Sequence, residues 1–183
     1  LFSQYAQEIK MNEYQQKALP YIEAGLKQGA AHVVAFSIED IVFDSRSLLK
    51  CMFGCPEWGK NYTCPSASNV TMEQYKEMFS RYKWGLIVHT HDRHLSQQVS
   101  YALEVKAFHE GYYFAFSLSD CNLCEKCGAA TGVPCRHRSM ARPAFHSVGI
   151  DVFATVKKFS LPLYALDNEG KPEENWYSAV FME

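Results

Sequence analysis

The sequence lacks several features that would assign it to a common class of protein. It has no apolar run long enough to span a bilayer, no internal repeat and no glycine-rich nucleotide-binding fingerprint. Its formal net charge of −2 does not provide the strongly basic surface that non-specific nucleic-acid binding requires. No secretory signal is recognisable. We therefore expect a cytoplasmic protein that binds neither membrane nor nucleic acid.

Cysteine, in contrast, is present in an unusual pattern. The seven cysteines form two tight groups, which suits metal thiolates in a reducing compartment better than a set of disulfides. The first group lies in a predicted loop at about residues 51–65, and the second in a predicted loop at about residues 121–136. The predicted metal ligands are Cys51, Cys55 and Cys64 in the first group and Cys121, Cys124, Cys127 and Cys135 in the second.

The second group has the spacing of an iron–sulfur ligand set. Each pair of residues between Cys121, Cys124 and Cys127 can form a tight turn that returns the next sulfur to the same side. Zinc sites usually use two short knuckles far apart in sequence. The pattern favours a [4Fe-4S] cluster with Cys135 as the fourth ligand, and structural zinc is the alternative. Unlike in ferredoxins, seven residues precede Cys135, and Arg136 follows it.

The first group has only three thiols, so one ligand position is open. In one interpretation these thiols hold a second cluster whose fourth iron binds water or substrate, as in a catalytic site. In another, Cys135 crosses over and leaves the open iron on the other cluster. A third has a side chain complete the set, and the candidates are Asp44, His89, His91 and His146. Zinc or purely structural thiols remain the alternative to a cluster.

Basic residues follow the last cysteine and flank the first group. They could offset the negative charge of a four-thiolate cluster and donate hydrogen bonds to it, or bind a carboxylate or phosphate. These residues are Arg136, His137, Arg138 and Arg142, with Arg46 and Lys50 near the other loop. We expect Trp58 and Tyr62 to shield the first group from water.

Helical and strand-like segments alternate along the chain. Helices are predicted over residues 12–27, with a second segment opening at Pro20, over 71–82 and over 95–111. Strands are predicted over residues 31–37, 84–91, 112–118 and 176–182. This order predicts an α/β or α+β sandwich with a central mixed sheet, formed as one domain over residues 1–183.

The cysteine spacing resembles that of a known family. The motifs are Cys51-x3-Cys55-x8-Cys64-Pro65 and Cys121-x2-Cys124-x2-Cys127, followed by Pro134-Cys135-Arg136-His137, Arg142-Pro143 and Gly149-Ile150-Asp151-Val152. They resemble the predicted metal-binding proteins of domain of unknown function 2284, over roughly residues 29–159. The resemblance implies metal binding, most naturally of iron–sulfur clusters, in mainly anaerobic microbes, and it supplies no reaction. Where the family often has Ser-Met-Glu-Ala, this chain has Ala144-Phe145-His146-Ser147, so no role of His146 is inherited.

The sequence therefore predicts a protein with one and, by preference, two [4Fe-4S] clusters and a redox role. That role is either electron transfer to a partner protein or reductive or desulfurising catalysis on a small molecule, at an iron not fully ligated by cysteine. The alternative is a protein-binding module without catalysis, stabilised by zinc or by a single cluster.

Overall fold

The computed structural model describes residues 13–163 and 174–183. These ranges form helices α1 (Glu13–Lys27), α2 (Ser47–Gly54), α3 (Met72–Phe79), α4 (Arg93–His109) and α5 (Val152–Lys157). They also form strands β1 (His32–Ser37), β2 (Trp84–Thr90), β3 (Phe116–Leu118) and β4 (Trp176–Met182). No helix within the described ranges is long and apolar enough to cross a membrane.

The four strands form one sheet in the order β1-β2-β4-β3. The α+β form of the predicted fold is confirmed. The predicted mixed sheet is wrong in its pairing, because all three neighbouring pairs are antiparallel. The physical reason is that β4, from the far end of the chain, enters between β2 and β3 and runs against both.

Both faces of the sheet are covered, which produces two hydrophobic cores. Trp84, Leu86 and Val88 of β2 point to one face and pack against α1 and α4. Ile87 of β2 and Phe181 of β4 point to the other face, where they pack with Phe79 of α3 and a short 3-10 helix, Phe145–Val148. Because it is covered on both sides and paired on both edges, β2 is buried along its whole length.

Gly85 permits the close packing of β1, β2 and β4. A Cβ atom at this position would lie 2.3 Å from the ring of Phe36 and 2.4 Å from the carbonyl oxygen of Val180. Neither approach is sterically possible, so a residue without a side chain is required where β1, β2 and β4 pack together.

The predicted helices differ from the observed ones in two places. α1 continues through Pro20 as one helix, whereas the sequence predicts a new segment there. Its buried residues, Ala18 and Tyr21, lie on both sides of Pro20, so packing against the sheet maintains the helix across the missing hydrogen bond. α2 occupies the start of the predicted 51–65 loop, and Cys51 is therefore a helical residue.

A buried carboxylate connects α4 to β3 and to the segment that follows the second cysteine group. Glu104 accepts hydrogen bonds from Ser117 N at 2.7 Å and from Arg142 Nε at 2.8 Å, and it also accepts from Ser117 Oγ and the second guanidinium nitrogen of Arg142. Glu104 is 7% exposed and Arg142 8%. The Arg142 guanidinium also lies over the rings of Tyr101 and Phe116. A charge pair this well bonded fixes three segments relative to one another.

We expect Glu104→Gln to lower the free energy of unfolding by about 3–5 kcal/mol, because it leaves the Arg142 charge buried without compensation. Denaturant unfolding followed by circular dichroism measures the change. The matched control is Glu23→Gln, which removes an exposed partner of Lys27 on α1, and its effect should be much smaller. Equal losses in the two variants would show that the buried pair does not hold the structure.

Candidate metal centre

Helix α2 and the turns after it place the first cysteine group. Cys51 lies in the last turn of α2 and is buried, whereas Cys55, the residue after the helix, is exposed. The chain then turns back so that the Cys64 thiol donates to the Glu57 carbonyl at 3.4 Å. The three thiols therefore belong to a compact segment with one buried and one exposed member.

Burial dominates the electrostatics of Cys51. Removal from water and then, in decreasing order of effect, the nearby Cys55, Cys64 and Asp120 together raise the pKa of its thiol to about 11. Cys51 therefore lies near both other thiols of its group and near the carboxyl group that precedes Cys121. A thiol in such surroundings ionises readily only when a cation is supplied to them, as a bound metal does.

Turns and a short 3-10 helix shape the second group. Cys127 begins the 3-10 helix Gly128–Thr131, which ends at Gly132 in the left-handed conformation with φ of 73°. Burial raises the pKa of Cys121, and the nearby Cys127 and Cys135 add to this effect. The structure therefore brings Cys121 close to two other members of its group.

The N-terminal turns of α4 hold the start of the second loop. Arg93 Nε lies 2.7 Å from Asp120 Oδ2, and Gln97 Oε1 accepts a hydrogen bond from Asn122 N at 2.8 Å. The same Gln97 lies beside Cys121 and, with the Leu123 backbone N–H, lowers the pKa of that thiol against the effect of burial. One helix thus positions the residues on both sides of the first sulfur of the loop.

The two cysteine groups meet. The backbone N–H of Tyr62, two residues before Cys64, donates to Cys127 Sγ at 3.4 Å. The guanidinium of Arg138 lies over the ring of Tyr62, 5.6 Å from its centre, and adds a second contact between the loops. Segments 65 residues apart in sequence therefore form one surface rich in sulfur.

Unsatisfied polar atoms border this surface. Within residues 13–163 and 174–183, the buried side-chain atoms without a hydrogen-bond partner include Ser47 Oγ, Gln97 Nε2 and Ser119 Oγ. Arg93 Nε also lacks a well-aligned hydrogen bond, but it is ion-paired with Asp120. Each belongs to a residue that precedes or contacts a cysteine: Ser47 lies one turn before Cys51, and Ser119 two residues before Cys121. Buried donors without partners call for an explanation. Thiolate sulfur and cluster sulfide are acceptors that such donors suit, so the residues fit an anionic iron–sulfur group.

The described residues contain no group of three or more His, Cys, Asp and Glu side chains already arranged to hold one metal ion. A tetrahedral zinc site requires four ligands about 2.0–2.3 Å from a single centre. A [4Fe-4S] cluster distributes its cysteines over four irons instead, so its ligands are farther apart.

The candidates for an additional ligand of the first cysteine group lie in different surroundings. Asp44 is engaged with Arg46, whose side-chain and backbone hydrogen bonds lower the pKa of the carboxyl to about 2. His89 and His91 share a face of the sheet, as predicted, and their rings are in edge contact with 4.9 Å between the ring centres. His89 is buried, with Nδ1 2.9 Å from His32 Nδ1.

His146 is the candidate whose 3-10 helix contacts the helix that carries Cys51. Asp120 is near both His146 and Cys51. Desolvation lowers the pKa of His146, and Asp120 acts in the opposite direction. The residue still has solvent-exposed surface. Asp120 is thus an oxygen group near Cys51, and His146 is a nitrogen group near Asp120.

The predicted basic residues do not form one anion site. Arg142 is committed to Glu104 and Arg46 to Asp44, and Arg138 covers Tyr62. Arg136 and Lys50 are exposed and His137 is half-buried. For Arg142 the structure supports neither a cluster contact nor an anion site, because its guanidinium already donates to the buried carboxylate of Glu104.

Sequence reasoning missed Asp120, Gln97 and Glu104. A usable signal exists for two of them, because Gln97 and Glu104 lie among Val99, Leu103 and Ala107 on the buried face of α4. Polar residues on an otherwise apolar helical stripe are buried, and buried polar groups require partners. Asp120 carries no comparable signal beyond its position next to Cys121.

A family model described as a predicted metal-binding protein, domain of unknown function 2284, matches residues 34–182. The chain belongs to this family. The match includes both cysteine groups and all the strands except the start of β1. No curated protein and no solved structure matches the chain. Membership in the domain 2284 family supports binding of a metal and leaves the kind of metal open.

The contact between the loops predicts a chemical cross-link. In the reduced, metal-free chain, a short bifunctional maleimide should join a first-group cysteine, most readily Cys64, to Cys127, because Tyr62 N contacts the Cys127 sulfur. Peptide mass spectrometry identifies the product, and Cys127→Ser is the control that should lose it. The experiment requires a metal-free chain with unchanged circular dichroism. The same yield in denaturant would contradict the predicted proximity.

Proposed function

We propose that this protein binds two [4Fe-4S] clusters in adjoining sites and has a redox role. The observation that carries the proposal is the meeting of the two cysteine groups, where Tyr62 N donates to Cys127 Sγ at 3.4 Å. The cysteines all have free thiols. In this proposal Cys121, Cys124, Cys127 and Cys135 hold one cluster, and Cys51, Cys55 and Cys64 hold the other.

The surroundings of the thiols support iron–sulfur binding over a plain structural role. Gln97 Nε2 is a buried donor beside Cys121, and the Tyr62 N–H already donates to the sulfur of Cys127. Such N–H groups stabilise negative charge on sulfur and tune the reduction potential of a cluster. When bound, the clusters would supply one-electron transfer, and an iron without a cysteine ligand would supply a Lewis acid.

Asp120 and His146 are the side chains that we propose for the remaining position of the first group. Asp120 lies near both Cys51 and His146, and Arg93 is ion-paired with the Asp120 carboxylate. As a ligand, His146 would offer a neutral nitrogen, because desolvation favours its uncharged form. If neither binds, the position is open to a substrate atom. We place the protein in the reducing cytoplasm, where thiols of this kind persist.

Anaerobically purified protein should contain about eight iron and eight acid-labile sulfide atoms per chain, corresponding to two four-iron clusters. Cys64→Ser should lower both values towards four, because it removes a ligand from the first group alone. Ser66→Ala, at an exposed position two residues away in the 3-10 helix Pro65–Ala67, is the control and should retain the full content. Zinc without sulfide would reject the redox proposal and favour a metal-stabilised binding module.

Gln97→Leu should lower the reduction potential of the second-group cluster, because it removes an N–H donor beside Cys121 that favours the more negative, reduced state. Potentiometry followed by electron paramagnetic resonance measures the midpoint. Gln98→Leu, at the neighbouring exposed position, is the matched control and should leave the potential unchanged. An unchanged potential in both variants would remove Gln97 from the cluster environment.

A further inference from the structure

An apolar cavity of about 890 Å³ borders the first cysteine group, with Cys64 in its wall. The loop around Cys64 supplies one side, α3 supplies a second side, and the segment leading into β3 supplies a third. A volume of this size is within the range of small-molecule sites, roughly 300–1,000 Å³, and is well above what one water molecule needs. The cavity is therefore large enough for an organic ligand next to a predicted metal ligand.

Aromatic rings dominate the cavity wall. They come from Tyr62, Tyr75, Phe79, Tyr82, Phe114 and Phe116. Phe79 is buried in the core, but Phe114 is 72% exposed and Tyr62 43% exposed. Exposed rings that face a concave space offer stacking and edge contacts to a flat ligand and lose little conformational entropy when they bind one.

The polar groups in the wall are largely satisfied within the protein. Tyr82 Oη donates to the Phe114 carbonyl at 2.7 Å, and burial raises the pKa of Tyr82 to about 12, so the phenol stays protonated. Tyr75 Oη donates to Ser68 Oγ at 3.2 Å. These hydroxyl protons are not available to a ligand. The wall therefore recognises ring surface rather than a set of polar atoms.

The charges around the cavity disfavour an anion. Arg81 is the cation in the described wall, and its guanidinium pairs with Glu77 at 2.9 Å. The wall also includes Glu183 and the thiol of Cys64, which becomes anionic when it binds a metal. Behind the wall, Arg142 contacts the Phe116 ring but is paired with Glu104, and Arg138 lies over the ring of Tyr62. Glu183 and a metal-bound Cys64 place two negative groups at the wall against the guanidinium of Arg138, so an anionic ligand would meet net negative charge.

We propose that this cavity binds an uncharged, planar aromatic molecule of two or three rings and presents it to the metal group held by Cys51, Cys55 and Cys64. The inference deepens the proposed function and rests on it for the role of the ligand as substrate. The existence of the binding site rests on the cavity alone. The two ideas can therefore fail separately.

The test uses two probes that share one ring system. N-phenyl-1-naphthylamine is uncharged, and 1-anilinonaphthalene-8-sulfonate carries an added sulfonate. Anaerobic equilibrium dialysis with the metal-loaded chain should show saturable 1:1 binding of the uncharged probe, and at least tenfold weaker binding of the sulfonate. Absence of saturable binding would overturn the site. Equal affinities would overturn the preference for an uncharged ligand.

A matched pair of variants locates the binding. Phe114→Ala removes a ring of the wall and should weaken binding about three- to tenfold, as expected for the loss of one aromatic contact. Tyr113→Ala removes an equally exposed ring, 71% against 72%, that is not part of the wall, and should change the affinity less than twofold. Equal effects would place the probe elsewhere. Ala141→Phe, which fills the cavity from another side, should also reduce binding.

Two further measurements separate this inference from the proposed function. Iron and sulfide are assayed on the same samples. Probe binding by a chain that contains no iron or sulfide would support the cavity and reject the clusters. Eight irons per chain without probe binding would support the clusters and reject the cavity as a binding site. Probe binding should also alter the electron paramagnetic resonance signal that Cys64→Ser removes. Binding that leaves this signal unchanged would overturn the link between the cavity and the first group.

Discussion

The buried carboxylate of Glu104 is the constraint on which the site depends. It accepts hydrogen bonds from β3 before the second cysteine loop and from Arg142 after it. The loop between them has few apolar contacts of its own and carries polar backbone groups that must be satisfied. Glu104 therefore fixes both ends of this loop to α4. Arg93 and Gln97 of the same helix also hold Asp120 and Asn122. These polar contacts give the loop a defined shape without a hydrophobic core.

The remaining architecture provides a rigid base for that arrangement. β2 and β4 are paired on both edges and covered on both faces, and α4 packs against both of them. α2, which carries Cys51, packs instead against the 3-10 helix of His146 on the opposite side of the sheet. The sulfur-rich surface thus joins a loop held by α4 on one face of the sheet to a segment that follows α2 on the other.

Sequence provides more information about candidate ligands than about their surroundings. The cysteine spacing is local information, and so is the capping box at Thr71, which the structure contains. The sequence predicts the start of α4 at Leu95, whereas the structure caps the helix at Asp92. The antiparallel insertion of β4 depends on contacts between distant segments, which hydrophobic periodicity does not encode. The start of the 51–65 segment is dense in glycine, proline and cysteine, so it resembles a loop, whereas tertiary contacts stabilise α2 there. Asp120 becomes recognisable as a site residue only when the fold brings it near the thiols.

The uneven exposure of the thiols has a practical consequence. Each group has one sulfur at the surface, Cys55 in the first and Cys124 in the second, and the two loops touch. In air, exposed thiols that lie close together oxidise to sulfenic acids and then to disulfides. Such bonds would trap the loops in shapes that cannot take up metal. Protein purified in air would then be stable and colourless, and it would lack metal because its cysteines had been oxidised during purification.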